Sequence, residues 1–170
     1  MKLPDSGARR QFDTGAVRDI QEGKGRCDLL PLYVIAGHLN DAVLFDIADF
    51  MEDGDYDHLY AALDHFFKVR GENKEYIEKT WADRMLEVSK HYEDGAAKYG
   101  DRNWEKGIPL HCFIDSGVRH YLKLKRGDTD EPHDRAFVWN VLGAIWTMMT
   151  YPSMCDIPST QLKGESGNAE

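Results

Sequence analysis

The stretch from Pro132 to Thr150 constrains the fold more than any other. Phe137, Val138, Trp139, Val141, Leu142, Ile145 and Trp146 make a helix here apolar nearly all round. Such a helix has no face for water, so it must be the buried centre of its domain. Other elements have to pack on it from several sides, and the chain supplies them. Tyr76 to Tyr99 carries Trp81, Met85, Val88, Tyr92 and Ala96 at spacings of three and four, one long amphipathic helix. His111 to Lys125 offers Phe113, Val118, Tyr121 and Leu122 for burial, and Gly127 ends it. Leu39, Val43, Ile47 and Phe50 mark a helix over His38 to Met51, after a helix start near Leu29 to Pro31. Leu59, Leu63, Phe66 and Phe67 mark another over Tyr56 to Val69, stopped by Gly71. No segment alternates with the period of a strand, and residues 1–30 read as an ordered loop. The expected fold is all-α.

A chain of 170 residues can bury one real core. Residues 1–152 are expected as one domain, and 153–170, rich in Ser, Gly and Thr, as a disordered tail. The net charge of −9 argues against a duplex nucleic-acid partner, which would select a basic face. It leaves room for small anions held through divalent metals. Cys27, Cys112 and Cys155 form no CxxC pair, so neither a zinc knuckle nor a disulfide framework is expected. With no signal-peptide pattern and no run of about 18 apolar residues, the expected place is the cytoplasm, away from membranes.

One polar group interrupts the central helix. Asn140 sits in AFVWNVLGAIW, where a buried amide needs partners. His133 is seven residues earlier and Asp130 three before that, which makes one polar stripe, with Glu131 and Asp134 beside it. First-turn acids also suit a helix dipole and need no further role. On the preceding helix Asp115 and Arg119 are four apart, next to His120. They make either a surface ion pair worth under about 1 kcal/mol or, with Arg119 turned to a phosphate, a binding fork. Glu93 aligns with the small Ala96 and Ala97. Glu93, Asp115, Asp130 and Glu131 are thus candidate ligands from three helices, and hard oxygens suit Mg²⁺ or Mn²⁺.

Cations and flat rings gather nearby. Lys24 and Arg26 flank Gly25, with Arg18 close by, in a glycine-rich stretch that can cradle an anion. His91 to Gly107 brings together Lys98, Tyr99, Asn103 and Trp104. Asp53-x-Asp55-x-Asp57 resembles the start of an EF-hand, but His58 stands at the required glycine, so a solvated turn is expected.

TGAVRD and GKGRCDLLP, EDGAAKYGDRNWEKG, DSGVRH, and DEPH with a later WN follow one another in order. With this set, residues 6–31 and about 85–147 resemble the phage and bacterial dATP/dGTP diphosphohydrolase family, a MazG-like group. The resemblance implies a four-helix core holding two or three Mg²⁺ or Mn²⁺ ions, and cleavage of a nucleoside triphosphate between its α and β phosphates. It implies a homo-oligomer, dimer or tetramer. For phage-encoded members it implies a place in the host cytoplasm, supplying dGMP for 2-aminoadenine synthesis. The expected substrate is a purine deoxynucleoside triphosphate, dGTP first, then dATP or GTP. Under this reading Glu93, Asp115, Asp130 and Glu131 hold metal, and His133 ligates or orients a ligand. Lys24, Arg26, Lys98 and Arg119 meet phosphates. Tyr99 or Trp104 stacks on the base, and Asn103 or Asn140 reads its edge. The chain departs from the group in lacking an EExxE helix and in carrying an extra segment over about 37–80. Two rivals stand beside it. His133–Asp134 is an HD dipeptide, which would make an HD-domain phosphohydrolase, and an acidic helical protein can be a non-catalytic interaction module.

Overall fold

The computed structural model describes residues 7–71 and 81–157. Two short strands, β1 (Arg9–Gln11) and β2 (Val17–Asp19), pair antiparallel, Arg9 opposite Asp19 and Gln11 opposite Val17. The loop expected over residues 1–30 therefore contains a hairpin. Strands of three residues are too short for a period of two to show in sequence. A single 3₁₀ turn (Cys27–Leu29) leads into six helices: α1 (Leu32–Leu39), α2 (Ala42–Asp53), α3 (Asp57–Gly71), α4 (Trp81–Tyr99), α5 (Leu110–Arg126) and α6 (His133–Thr150). The fold is all-α, as expected. The start of α4 expected at Tyr76 lies outside the described residues.

The helix expected from His38 is two helices. Asn40 takes a left-handed conformation, φ 51°, and ends α1. Asp41 then caps α2 by accepting from the Leu44 amide at 3.2 Å. Its carboxylate also accepts from the Tyr121 hydroxyl at 2.8 Å and pairs with Lys125 at 2.9 Å, which ties this corner to α5. The acidic turn before α3 is a chain of caps: Asp53 accepts from the Asp55 amide, Asp55 from the Asp57 amide, and His58 meets Asp53 at 3.0 Å.

Helix α6 is the centre. Ala136, Phe137, Val138, Val141, Ala144 and Ile145 are buried. Phe137 packs on Phe66 of α3 at 4.7 Å and on Tyr121 of α5 at 5.3 Å between ring centroids. Close approach of α5 requires Gly143. A Cβ there would lie 2.3 Å from Phe113 Cε1. The apolar girdle is open on one side, because Trp146 is 36% exposed, resting edge-on against Trp104 at 5.3 Å. After α6 the chain stays packed as far as Ile157, contrary to the tail expected from 153. Ile157 is buried, the Asp156 carboxylate accepts from the His111 amide, and Tyr151 donates to the Glu105 carbonyl. Residues 158–170 lie outside the described part. No helix among the described residues is long and apolar enough to cross a membrane.

Candidate active site

The hairpin, the C-terminal half of α4, the turn after it, α5 and the start of α6 enclose a cavity of about 1030 Å³. The hairpin is clamped over α5 by side chains far away in sequence. The Asn103 amide accepts from the Val17 N–H at 2.9 Å and donates to the Val17 carbonyl at 2.8 Å. Thr14 donates to the Gly107 carbonyl at 2.6 Å. These clamps aim the next residue, Arg18, into the floor of the cavity.

The Arg18 guanidinium donates to the Cys112 carbonyl (3.1 Å), the Ser116 hydroxyl (3.2 Å) and the Asn140 amide oxygen (3.1 Å). It lies over the rings of Phe113 and Trp139, at 5.2 and 5.4 Å. All these acceptors are neutral, and no carboxylate among the described residues pairs with it. Burial pushes its pKa down. A partly buried cation whose hydrogen-bond acceptors are all neutral, with Arg10 and Arg119 close by, is incompletely compensated and favours an anion. Four other cations line the floor. Lys98 pairs with Asp19 at 2.8 Å, and Lys24 lies 4.0 Å from the same carboxylate. Burial lowers the Lys24 pKa. Arg119 pairs with Asp115, and its Nε is buried with no partner among the described residues. Arg10 donates to Gln21 at 3.2 Å and to the Cys112 sulfur at 3.1 Å.

Beside the floor cations lies a corner of imidazoles and acids. His120 Nδ1 and His133 Nδ1 face each other at 3.0 Å. Glu131 Oε1 lies 3.4 Å from the first and 3.6 Å from the second. His133 Nε2 donates to Asp130 at 2.8 Å, and Lys123 donates to the other Asp130 oxygen at 2.9 Å. Burial, then the nearby His133, holds His120 well below the usual imidazole range. Burial raises Glu131. The Lys123 hydrogen bond, then that from His133, draws Asp130 down to about 2. Among the described residues two groups of three bring ligand atoms within 4.8 Å of one another: His120, Glu131 and His133, and Asp128, Asp130 and His133. Such donor sets fit a divalent ion.

Glu93, Asp115, Asp130 and Glu131 all line the cavity, but they do not form one such group. Asp115 has another task. Its oxygens accept from Gln21 (2.9 Å), from the Cys27 amide (2.6 Å) and from Arg119, and its side chain is 2% exposed. A carboxylate so occupied fixes the floor, with three of its roughly four lone-pair sites taken by protein donors. Arg26 is not on the cavity: it pairs with Asp28 on the outside. Asn103 and Asn140 line the cavity with their amides in use, the first on Val17, the second between Arg18 and the Ala136 carbonyl at 2.7 Å. Tyr99 donates to Asp19 at 3.0 Å. Trp104 stands edge-on to Tyr92 at 5.6 Å on the cavity wall. Lys24, Lys98, Arg119, His120 and Glu131 line it as well. Asp156, the downstream acid that an HD site would need, binds His111 instead, at 2.5 Å.

Two residues take a larger part than the sequence alone assigned them. Arg18 is the partly buried cation of the floor. His91, beside Trp139 at 5.8 Å, is held neutral, with burial taking its pKa down to about 4. Its Nδ1 is buried with no partner among the described residues.

A helical bundle that gathers a partly buried guanidinium and an imidazole–carboxylate corner on one cavity suits an anionic ligand. Residues 68–157 match the family described as dATP/dGTP diphosphohydrolase, N-terminal. The chain belongs to this family, and with it to the nucleoside triphosphate pyrophosphohydrolases. No curated protein and no solved structure matches the chain.

Proposed function

We propose that the chain hydrolyses purine deoxynucleoside triphosphates, dGTP first and then dATP or GTP, to the monophosphate and pyrophosphate. The observation that carries this reading is Arg18, a partly buried cation that no carboxylate among the described residues pairs with, on the same cavity as His120 and Glu131. Arg18, Lys24 and Arg119 receive the triphosphate, and the orphan Nε–H of Arg119 gains an acceptor. The purine stacks along Tyr92, Trp104 and Trp139. His91, neutral and with Nδ1 unclaimed, is the side chain available to hydrogen-bond the base edge.

The reaction depends on a divalent ion, Mg²⁺ or Mn²⁺, held in the corner by Glu131 with His120 and His133. When bound, the ion offsets phosphate charge and makes water a better nucleophile at neutral pH. Glu131, through the oxygen turned away from the imidazoles, accepts the proton of the attacking water. Asp130 holds His133 in one orientation. The floor cations stabilise the charge that moves onto pyrophosphate as it leaves. The exposed Leu29, Tyr33, Val34 and Leu39 support a homo-oligomer, dimer or tetramer. In a phage-encoded setting the dGMP would serve 2-aminoadenine synthesis in the host cytoplasm.

The test is to incubate the protein with each NTP and dNTP, with Mg²⁺ or Mn²⁺, and to identify the products by anion exchange and phosphorus NMR. dGMP and pyrophosphate are expected. Nucleoside and free triphosphate would support the HD rival, and no metal-dependent turnover would leave the interaction module.

A further inference from the structure

We propose that His120, Glu131 and His133 form a single-ion site that takes a first-row transition ion, such as Mn²⁺, in preference to Mg²⁺. The inference rests on the reading of this corner as the metal end of the active site. It goes further by naming a nitrogen-rich donor set where a carboxylate set was expected.

Three observations carry it. The first is spacing. Donor atoms 3.0, 3.4 and 3.6 Å apart subtend roughly 90° to 120° at an ion about 2.1 Å from each. The three atoms thus already stand where one ion would want them. The second is the state of the imidazoles. His133 Nε2 donates to Asp130 at 2.8 Å, so in the neutral ring the lone pair is on Nδ1, facing His120. This carboxylate–histidine arrangement fixes the tautomer and orients the ring as metal-ligating histidines require. His120 Nδ1 stands 3.0 Å from His133 Nδ1, and it offers its own lone pair once the ring proton sits on Nε2. The third is Glu131. It is 15% exposed, and among the described residues its only partners at ion-pair distance are these two histidines. A carboxylate oxygen this close to two imidazole nitrogens is a third donor aimed at the same point.

The chemistry of the donors then decides the ion. Mg²⁺ is a hard ion that prefers oxygen and keeps its water. Imidazole nitrogen favours transition ions, and among them affinity rises from Mn²⁺ through Co²⁺, with Zn²⁺ also strong. Glu131 Oε1 faces the rings, which leaves Oε2 for the proton transfer described above. His120 and Glu131 line the cavity, so the remaining coordination positions open toward the triphosphate.

The site is tested by binding, without nucleotide. Metal-free protein is titrated with MnCl₂ and with MgCl₂ by calorimetry, and the Mn²⁺ complex is examined by pulsed EPR for nitrogen coupling. The expected result is Mn²⁺ bound at least about tenfold more tightly than Mg²⁺, with coupling to imidazole nitrogen. His120→Ala removes part of that coupling and weakens Mn²⁺ at least about tenfold, and Asp130→Asn weakens it by about 10- to 100-fold. Mn²⁺ binding without nitrogen coupling, or equal affinity for both ions, overturns the site. So does unchanged binding in a folded His120→Ala. Turnover is scored separately. Diphosphohydrolase activity with an all-oxygen metal site would sink this inference alone, whereas a nitrogen-coordinated ion with no nucleotide turnover would sink the activity alone.

Discussion

Replacing Arg18 by Met separates a binding role from a folding role. Met is nearly as long and apolar, so it can keep the contact with the Phe113 and Trp139 rings. The change removes three charge-assisted hydrogen bonds, to Cys112, Ser116 and Asn140. Each is worth about 1.5–3 kcal/mol to the folded state. It also removes the desolvation cost of a partly buried guanidinium, which is of opposite sign. The two nearly cancel, so folding stability should move by no more than about 2 kcal/mol, a shift in Tm within about 8 °C. No such cancellation protects catalysis. Loss of one preorganised donor to a developing negative charge costs about 2.7–4 kcal/mol, or roughly 100- to 1000-fold. Scanning fluorimetry and a pyrophosphate-release assay with dGTP measure the two effects. The expected pair is a modest Tm shift with kcat/KM down at least about 100-fold. Arg18→Lys should fall between, because it keeps charge and loses the planar fork. A folded Arg18→Met with kcat/KM within about threefold of the parent would refute the role assigned to the floor.

Gly143→Ala should destabilise the protein, since the new Cβ would meet Phe113 at 2.3 Å. Overpacking of about 1–3 kcal/mol outweighs the gain in helix propensity of about 1 kcal/mol. Urea unfolding should show the loss, and adding Phe113→Leu should recover part of it. The His111–Asp156 pair makes stability depend on alkaline pH. Its hydrogen bond to Asp156, then that to Cys112, raises His111 from 6.5 to about 10. A raised folded pKa gives stability that is complete below pH 6.5 and lost as pH climbs through about 10. For a pair this exposed the amount is about 1 kcal/mol. Melting curves between pH 6 and 10 should therefore fall more steeply for the parent than for Asp156→Asn, and equal slopes would contradict the pairing.

Helices were legible because their apolar residues recur at three and four. The expected bounds of α5 and α6 lie within a residue of those found, and α6 is the centre because its sequence leaves almost no wet face, with Trp146 marking the open side. The break at Asn40 was hidden because one left-handed residue and one capping Asp interrupt an apolar pattern that continues across them. The site was legible in part. Asn140 announced itself as a buried amide needing a partner, but the partner, Arg18, is 122 residues away, on a hairpin too short to read. His120 was seen beside Asp115 and Arg119, or as a histidine of the HD rival. Its meeting with His133 depends on how α5 and α6 pack, which spacing within one helix does not contain. Asp115 read as a ligand because four-residue spacing to Arg119 does not reveal burial. What consumes its oxygens, Gln21 and the Cys27 amide, comes from the distant N-terminal stretch.

The most direct test of the account is a crystal structure with Mn²⁺ and an α,β-imido analogue of dGTP, read with anomalous scattering. The account predicts the triphosphate between Arg18 and the imidazole corner, the purine along Tyr92 and Trp139, and a manganese peak among His120, Glu131 and His133. Nucleotide bound outside this cavity, or phosphates turned away from Arg18, would contradict it.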